Sequence, residues 1–186
     1  MATSRSEPVV VRNWDVSARN WPDALSGLRV AHVSDFHFTR WTRTTRHAQH
    51  LLQSLEYDLL LVTGDFGNFH RHWPHAAEMT RGFFHPIADR APAFAVLGNH
   101  DHPSFPTVKG LPLTFLRDQV TQVSWRGTKI NIAGVEQTVK AMPEVRQIFS
   151  TVGVEGNPLK AALRVKAGKK DERSRSLLAL KDDMRT

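Results

Sequence analysis

Three times along the N-terminal half of the chain, a run of apolar, strand-forming residues stops at a short polar cluster. Residues 28–34 read LRVAHVS and close on Asp35, Phe36 and His37. Residues 59–63 read LLLVT and close on Gly64, Asp65, Phe66, Gly67 and Asn68. Residues 93–97 read AFAVL and close on Gly98, Asn99, His100, Asp101 and His102. Such short, nearly continuous apolar runs predict strands buried on both faces. Between the first two, residues 42–57 place Ala48, Leu51, Leu52 and Leu55 on one stripe, which predicts a helix. Residues 74–89 predict a second, with Ala76, Met79, Phe83, Phe84 and Ile87 near helical spacing and Pro74 in its first turn. Strands alternating with helices call for an α/β fold with a mostly parallel βαβ core and helices flanking it.

The pattern changes on either side of this region. Residues 9–14 are β-rich and predict an edge strand within an N-terminal segment, 1–27. Residues 120–125 and 129–135 predict two strands of a hairpin across 126–128. A helix is expected at 142–149, with Pro143 near its start, and a short one at 177–180. The α/β domain is therefore placed at 28–135. Residues 136–186 read as a divergent basic tail, irregular or short-helical, of the kind a truncated or frame-shifted gene would leave.

The polar clusters carry the chemistry. In an open parallel sheet, ligands gather outside the carboxyl ends of the strands, which puts Asp35, His37, Asp65, Asn99 and His100 along one rim. In an extended Asp-x-His stretch the two side chains share a face. Gly64 lets the backbone turn tightly before Asp65. Carboxylate, imidazole and carboxamide oxygen together suit Mn, Fe or Zn better than a metal that prefers soft ligands. The other histidines have plainer readings. His32, inside its strand, reads as a hydrogen-bonded core residue; His47 and His50 read as a solvated helix face. His70, His72, His75 and His85 read as surface residues of a loop and helix.

Asp35-Phe36-His37, Gly64-Asp65 and Gly98-Asn99-His100-Asp101 in this order resemble the first three blocks of the calcineurin-like metallophosphoesterases. The stretches GLRVAHVSDFHF, DLLLVTGDF and VLGNHD are nearest the bacterial branch that includes small membrane-peripheral phosphodiesterases. The resemblance is specific over 28–101 and fades towards residue 135. It implies part of a sandwich of two sheets flanked by helices, and hydrolysis of phosphomono- or phosphodiesters by a metal-activated water. It implies that Asp35 and His37 hold a first divalent ion, that Asp65 bridges two ions and that Asn99 binds the second. His100 would protonate the leaving oxygen or contact the phosphate, with Asp101 orienting it. The family's later blocks, a Gly-His or Ser-His pair and then Gly-His-x-His, have no counterpart, because no histidine follows His102. The expectation is an incomplete site. Its outcome would be an impaired hydrolase or, alternatively, an inactive fragment or binding module of the same fold.

Composition narrows the picture only slightly. With 186 residues, 40% hydrophobic and 23% charged, the chain has a globular composition. It has no cysteine, which excludes disulfides and thiolate metal sites. The net charge of +7 concentrates at 40–46 and 164–175, without an RNA-binding or zinc-finger signature. It reads as a solvated surface first and as a rim that attracts a phosphate-ester substrate second. No opening apolar segment suggests a secretory signal and no run is long enough to span a bilayer. A cytoplasmic location or peripheral membrane contact is the expectation, and oligomeric state is left open.

Overall fold

β1 (Val30–Val33), β2 (Leu59–Thr63) and β3 (Ala93–Val96) form where the three apolar runs predict them, β1 and β3 shorter than their runs and β2 matching its own. The computed structural model describes residues 9–16, 22–68, 70–134, 145–149, 153–154 and 164–167. The three strands run parallel, with Val30 opposite Leu59 and Leu60 opposite Ala93. A short fourth, β4 (Thr114–Phe115), extends the parallel sheet beyond β3 in the order β1-β2-β3-β4. Two residues of ladder give no periodic signal, so the pattern could not announce it.

The first helix, α1 (Arg43–Ser54), starts at Thr42, whose hydroxyl accepts the Thr45 N–H at 3.0 Å. That cap satisfies one of the donors a helix start leaves open. The second, α2 (Trp73–Phe84), is shorter than the pattern suggested. Its last turn tightens into a 3₁₀ turn at His85–Ile87, because Pro86 has no N–H to continue the ladder. Leu52, Ala76, Met79, Phe83 and Phe84 bury against Leu60, Val62 and Ala95 of the sheet.

The alternate residues of the strands face the other way, and there a second sheet meets them. β5 (Gln119–Trp125) and β6 (Thr128–Gly134) form the predicted hairpin, with Trp125 opposite Thr128. Its two-residue turn is Arg126-Gly127, both left-handed at φ 48° and 79°, the pairing that matches strand twist. Ile130, Ile132 and Leu116 pack with Leu59, Phe94 and Leu25 in a second core. At Gly134 a Cβ would overlap Leu116, which marks how closely the two sheets approach. Helices, parallel sheet and antiparallel sheet thus form three successive layers among the described residues. A Cβ at Gly127 would meet nothing within 4 Å. Gly127→Ala should therefore lower stability only through backbone strain, by about 1 kcal/mol, as read by urea unfolding.

β1 is not buried on both faces as its apolar run predicts: Val30 and His32 are exposed, because β1 is the edge of the parallel sheet. Two further expectations fail. Residues 9–16 join no sheet among the described residues, and Val10, Trp14 and Val16 stand exposed. A β-rich composition makes a strand only where an edge accepts it. The helix expected at 142–149 is instead a strand, β7 (Val145–Phe149). Val145, Ile148 and Phe149 are β-branched or aromatic, and the segment ladders antiparallel to β9 (Arg164–Ala167). β8 (Gly153–Val154) pairs with β6. The helix expected at 177–180 lies outside the described residues. No helix among them is long and apolar enough to cross a membrane.

Candidate metal centre

The loops after β1 and β2 are joined by their own backbones. The N–H of Asp35 donates to Gly64 O at 3.2 Å, that of His37 to Asp65 O at 2.9 Å and that of Phe38 to Phe66 O at 2.7 Å. Asp35, His37 and Asp65 are all left-handed, at φ 58°, 46° and 55°. The extended Asp-x-His geometry expected from alternation is therefore not what unites the first two. Successive left-handed turns do so, at roughly 1 kcal/mol or more each for residues with a Cβ. Strain of this kind persists only where the surroundings hold it.

The result is a tight donor group. One oxygen or ring nitrogen from each of Asp35, His37 and Asp65 lies within 4.8 Å of the others. His37 Nε2 stands 3.9 Å from Asp35 Oδ1. Its Nδ1 donates a long bond, 3.4 Å, to the Gly67 carbonyl. A carbonyl can only accept, so this bond calls for a proton on Nδ1, the arrangement in which Nε2 is the ring atom available to a metal. The Ser34 hydroxyl donates to Asp35 Oδ2. Two carboxylates and one imidazole, with no thiolate, fit a divalent ion that accepts oxygen and nitrogen donors.

The third loop closes over this group. The His100 N–H donates to Asp65 Oδ1 at 3.1 Å, and the His100 ring meets His37 edge-to-face at 5.3 Å between centroids. Asn99 is exposed in the same turn, and its side chain makes no hydrogen bond among the described residues. Asp101 is buried, 6% exposed. Its carboxylate accepts the N–H groups of Asp65 at 2.8 Å, Gly98 at 2.8 Å and Gly67 at 3.2 Å. Burial pushes this carboxyl above the usual range; the N–H groups of Gly98 and Gly67 oppose that, and the charge of Asp65 adds to it. The carboxylate thus ties the second and third loops together and makes no bond to the His100 ring among the described residues.

Glycines let these loops touch. Gly64 is left-handed at φ 75°, and a Cβ there would overlap the Gly98 backbone; a Cβ on Gly98 would overlap the Asp65 carboxylate. The demand on Gly98 was not legible in sequence, since nothing in Gly-Asn-His-Asp says what lies against it. The contact of Gly67 with His37 was likewise missed, because the two are distant in the chain, and Ser34 was missed although the Asp35 carboxylate it meets is its neighbour.

His32 is not the core residue expected: it is hydrogen-bonded but exposed on the edge strand β1. The side chain of His70 lies outside the described residues, and the other histidines sit as their plainer readings have it. His32 Nε2 meets Thr63 Oγ1 at 2.8 Å, and His47, His50, His72 and His85 are exposed. His75 Nε2 donates to Thr39 O at 3.0 Å, and the His102 ring stacks on Trp73 at 5.2 Å. Burial pushes the His32 imidazole below its ordinary value of 6.5, with the charge of Asp35 opposing. A histidine depressed in the fold favours the neutral form. Its contribution is present above that ordinary value and is lost as pH falls through the folded one. His32→Gln should therefore lose less stability than wild type on acidification below about pH 6.5, measured as paired urea midpoints.

A parallel sheet with acidic and imidazole groups at its carboxyl ends, backed by an antiparallel sheet, defines an α/β protein with a candidate metal group. The calcineurin-like phosphoesterase family matches residues 28–157, and the chain belongs to that family. It is similar to the uncharacterized metallophosphoesterase YkoQ of Bacillus subtilis (strain 168), with 27% identity over 104 residues. That match covers 54% of this chain and 37% of YkoQ, so the chain spans well under half of that relative's length.

Proposed function

We propose that the chain is a metal-dependent phosphoesterase that works with a divalent ion held at this group. The observation that carries this reading is the convergence of Asp35, His37 and Asp65 within 4.8 Å at the carboxyl ends of two strands. Those three residues would hold the ion, with Asn99 available beside them. A bound divalent ion would supply a more acidic water and charge neutralisation on the phosphate. The His100 ring, exposed next to His37, would contact the phosphate or give a proton to the leaving oxygen. Asp101 serves as a positioning residue, holding the Asp65 backbone in place.

The test is metal analysis of the purified chain, followed by turnover of a nitrophenyl phosphodiester and phosphomonoester with Mn, Fe or Zn added. Hydrolysis that saturates with metal supports the proposal. Metal binding without turnover at any metal concentration would favour a binding module of the same fold.

A further inference from the structure

From residue 36 to residue 55 the chain has no carboxylate, although Asp35 and Glu56 bound the stretch. It carries Arg40, Arg43 and Arg46, all exposed. None of the three forms an ion pair with a carboxylate among the described residues. The exposed face of α1 adds His47, His50, Gln53 and Ser54 and no acid. A face of this kind does not help the helix. Arg43 and Arg46 are three apart on one face, a spacing at which like charges oppose helix formation.

The rim is nonetheless held firmly. Phe36 and Phe38, which flank His37, and Trp41 all rest on the ring of Phe83, at 5.0, 5.5 and 6.4 Å between centroids. The Arg46 guanidinium lies over Trp41 at 5.6 Å. Gln49 clasps the two helices by donating to the carbonyls of Gly82 and Phe83, at 3.1 and 2.8 Å. The loop that supplies two candidate metal ligands therefore runs directly into three exposed arginines without carboxylate partners among the described residues, of which Arg46 is held over Trp41. A guanidinium fixed in advance binds an anion with less loss of freedom than a mobile one.

We infer that Arg40, Arg43 and Arg46 receive a second anionic group of the substrate, which makes the substrate class a phosphate ester that carries a further phosphate, as a pyrophosphate or bisphosphate does. This rests on the phosphoesterase reading for the reaction, but the rim itself is testable without metal or turnover. Pyrophosphate and orthophosphate are titrated calorimetrically into the full chain in a chelator-containing buffer. Pyrophosphate is expected to bind about tenfold more tightly, the combined effect of several exposed charge pairs. The triple variant Arg40→Gln, Arg43→Gln, Arg46→Gln should lose that margin while keeping its circular dichroism spectrum. Asp65→Asn should not weaken it, so loss of metal chemistry and loss of the rim are read separately. Added salt should erase the margin in wild type. Equal binding of the two anions, or a margin that survives the triple substitution, overturns the inference. So does an oligonucleotide that binds more tightly as it lengthens, since the rim would then serve nucleic acid.

Discussion

Asp65→Asn is expected to lower the affinity for Mn by at least about a hundredfold and to abolish phosphoester turnover, while leaving the fold intact. Outer contacts to a metal ligand already weigh about 10- to 100-fold, and Asp65 is a candidate ligand itself. The choice of asparagine matters because Asp65 is left-handed at φ 55°. Asparagine tolerates that region better than most residues, whereas alanine would mix lost charge with backbone strain. The asparagine side-chain oxygen can still accept the His100 N–H that Asp65 Oδ1 takes at 3.1 Å. What disappears is one negative charge in a side chain that is 5% exposed. Asp118→Asn is the matched control, left-handed at φ 49° on the loop before β5. It should change neither metal affinity nor turnover. Calorimetric titration of Mn and nitrophenyl phosphodiester turnover decide the matter, and turnover that survives Asp65→Asn would remove this centre from the reaction.

The contrast between Asp65 and Asp118 also shows what the sequence could reveal. Both are aspartates at left-handed positions, and only the apolar run before Asp65 marks it as the end of a buried parallel strand. Periodicity located β1, β2, β3, both helices and the hairpin because each buries a repeating face. It failed at residues 9–16 and at β7 for one shared reason. Whether a β-prone segment becomes a strand depends on a partner edge, and a local pattern holds no record of that edge. The metal group was half legible. Its members could be named from the polar clusters at two strand ends, but the means of convergence could not. Alternation suggested an extended Asp35–His37 pair; left-handed turns joined by bonds to Gly64 and Asp65 carbonyls do the work instead. Asp101 is the fullest example, since its type suggested a partner for His100 while its contacts run to three backbone N–H groups.

Those three contacts make Asp101 the residue whose loss should most damage stability. Asp101→Ala strands the N–H groups of Asp65, Gly67 and Gly98 beneath a closed loop. An unsatisfied buried donor costs about 1–3 kcal/mol, so the sum should reach about 3–5 kcal/mol where the loops cannot relax. Against an ordinary total of about 5–15 kcal/mol, that leaves a marginal protein. Asp101→Asn separates the clamp from the fold. One oxygen remains to accept, but the amide nitrogen now faces a donor, so the expected loss is about half as large. The folded Asn variant should also bind Mn more weakly than wild type. Its oxygen keeps the Asp65 and Gly98 N–H groups that share Oδ2, but the Gly67 N–H loses Oδ1, and Gly67 is the residue whose carbonyl orients His37. A residue that merely filled space would lower the urea midpoint without moving metal affinity. If Asp101→Ala unfolds at the wild-type urea concentration, the three bonds do not support the loops as described. If Asp101→Asn shifts the midpoint alone, the clamp stabilises the fold without setting the metal group.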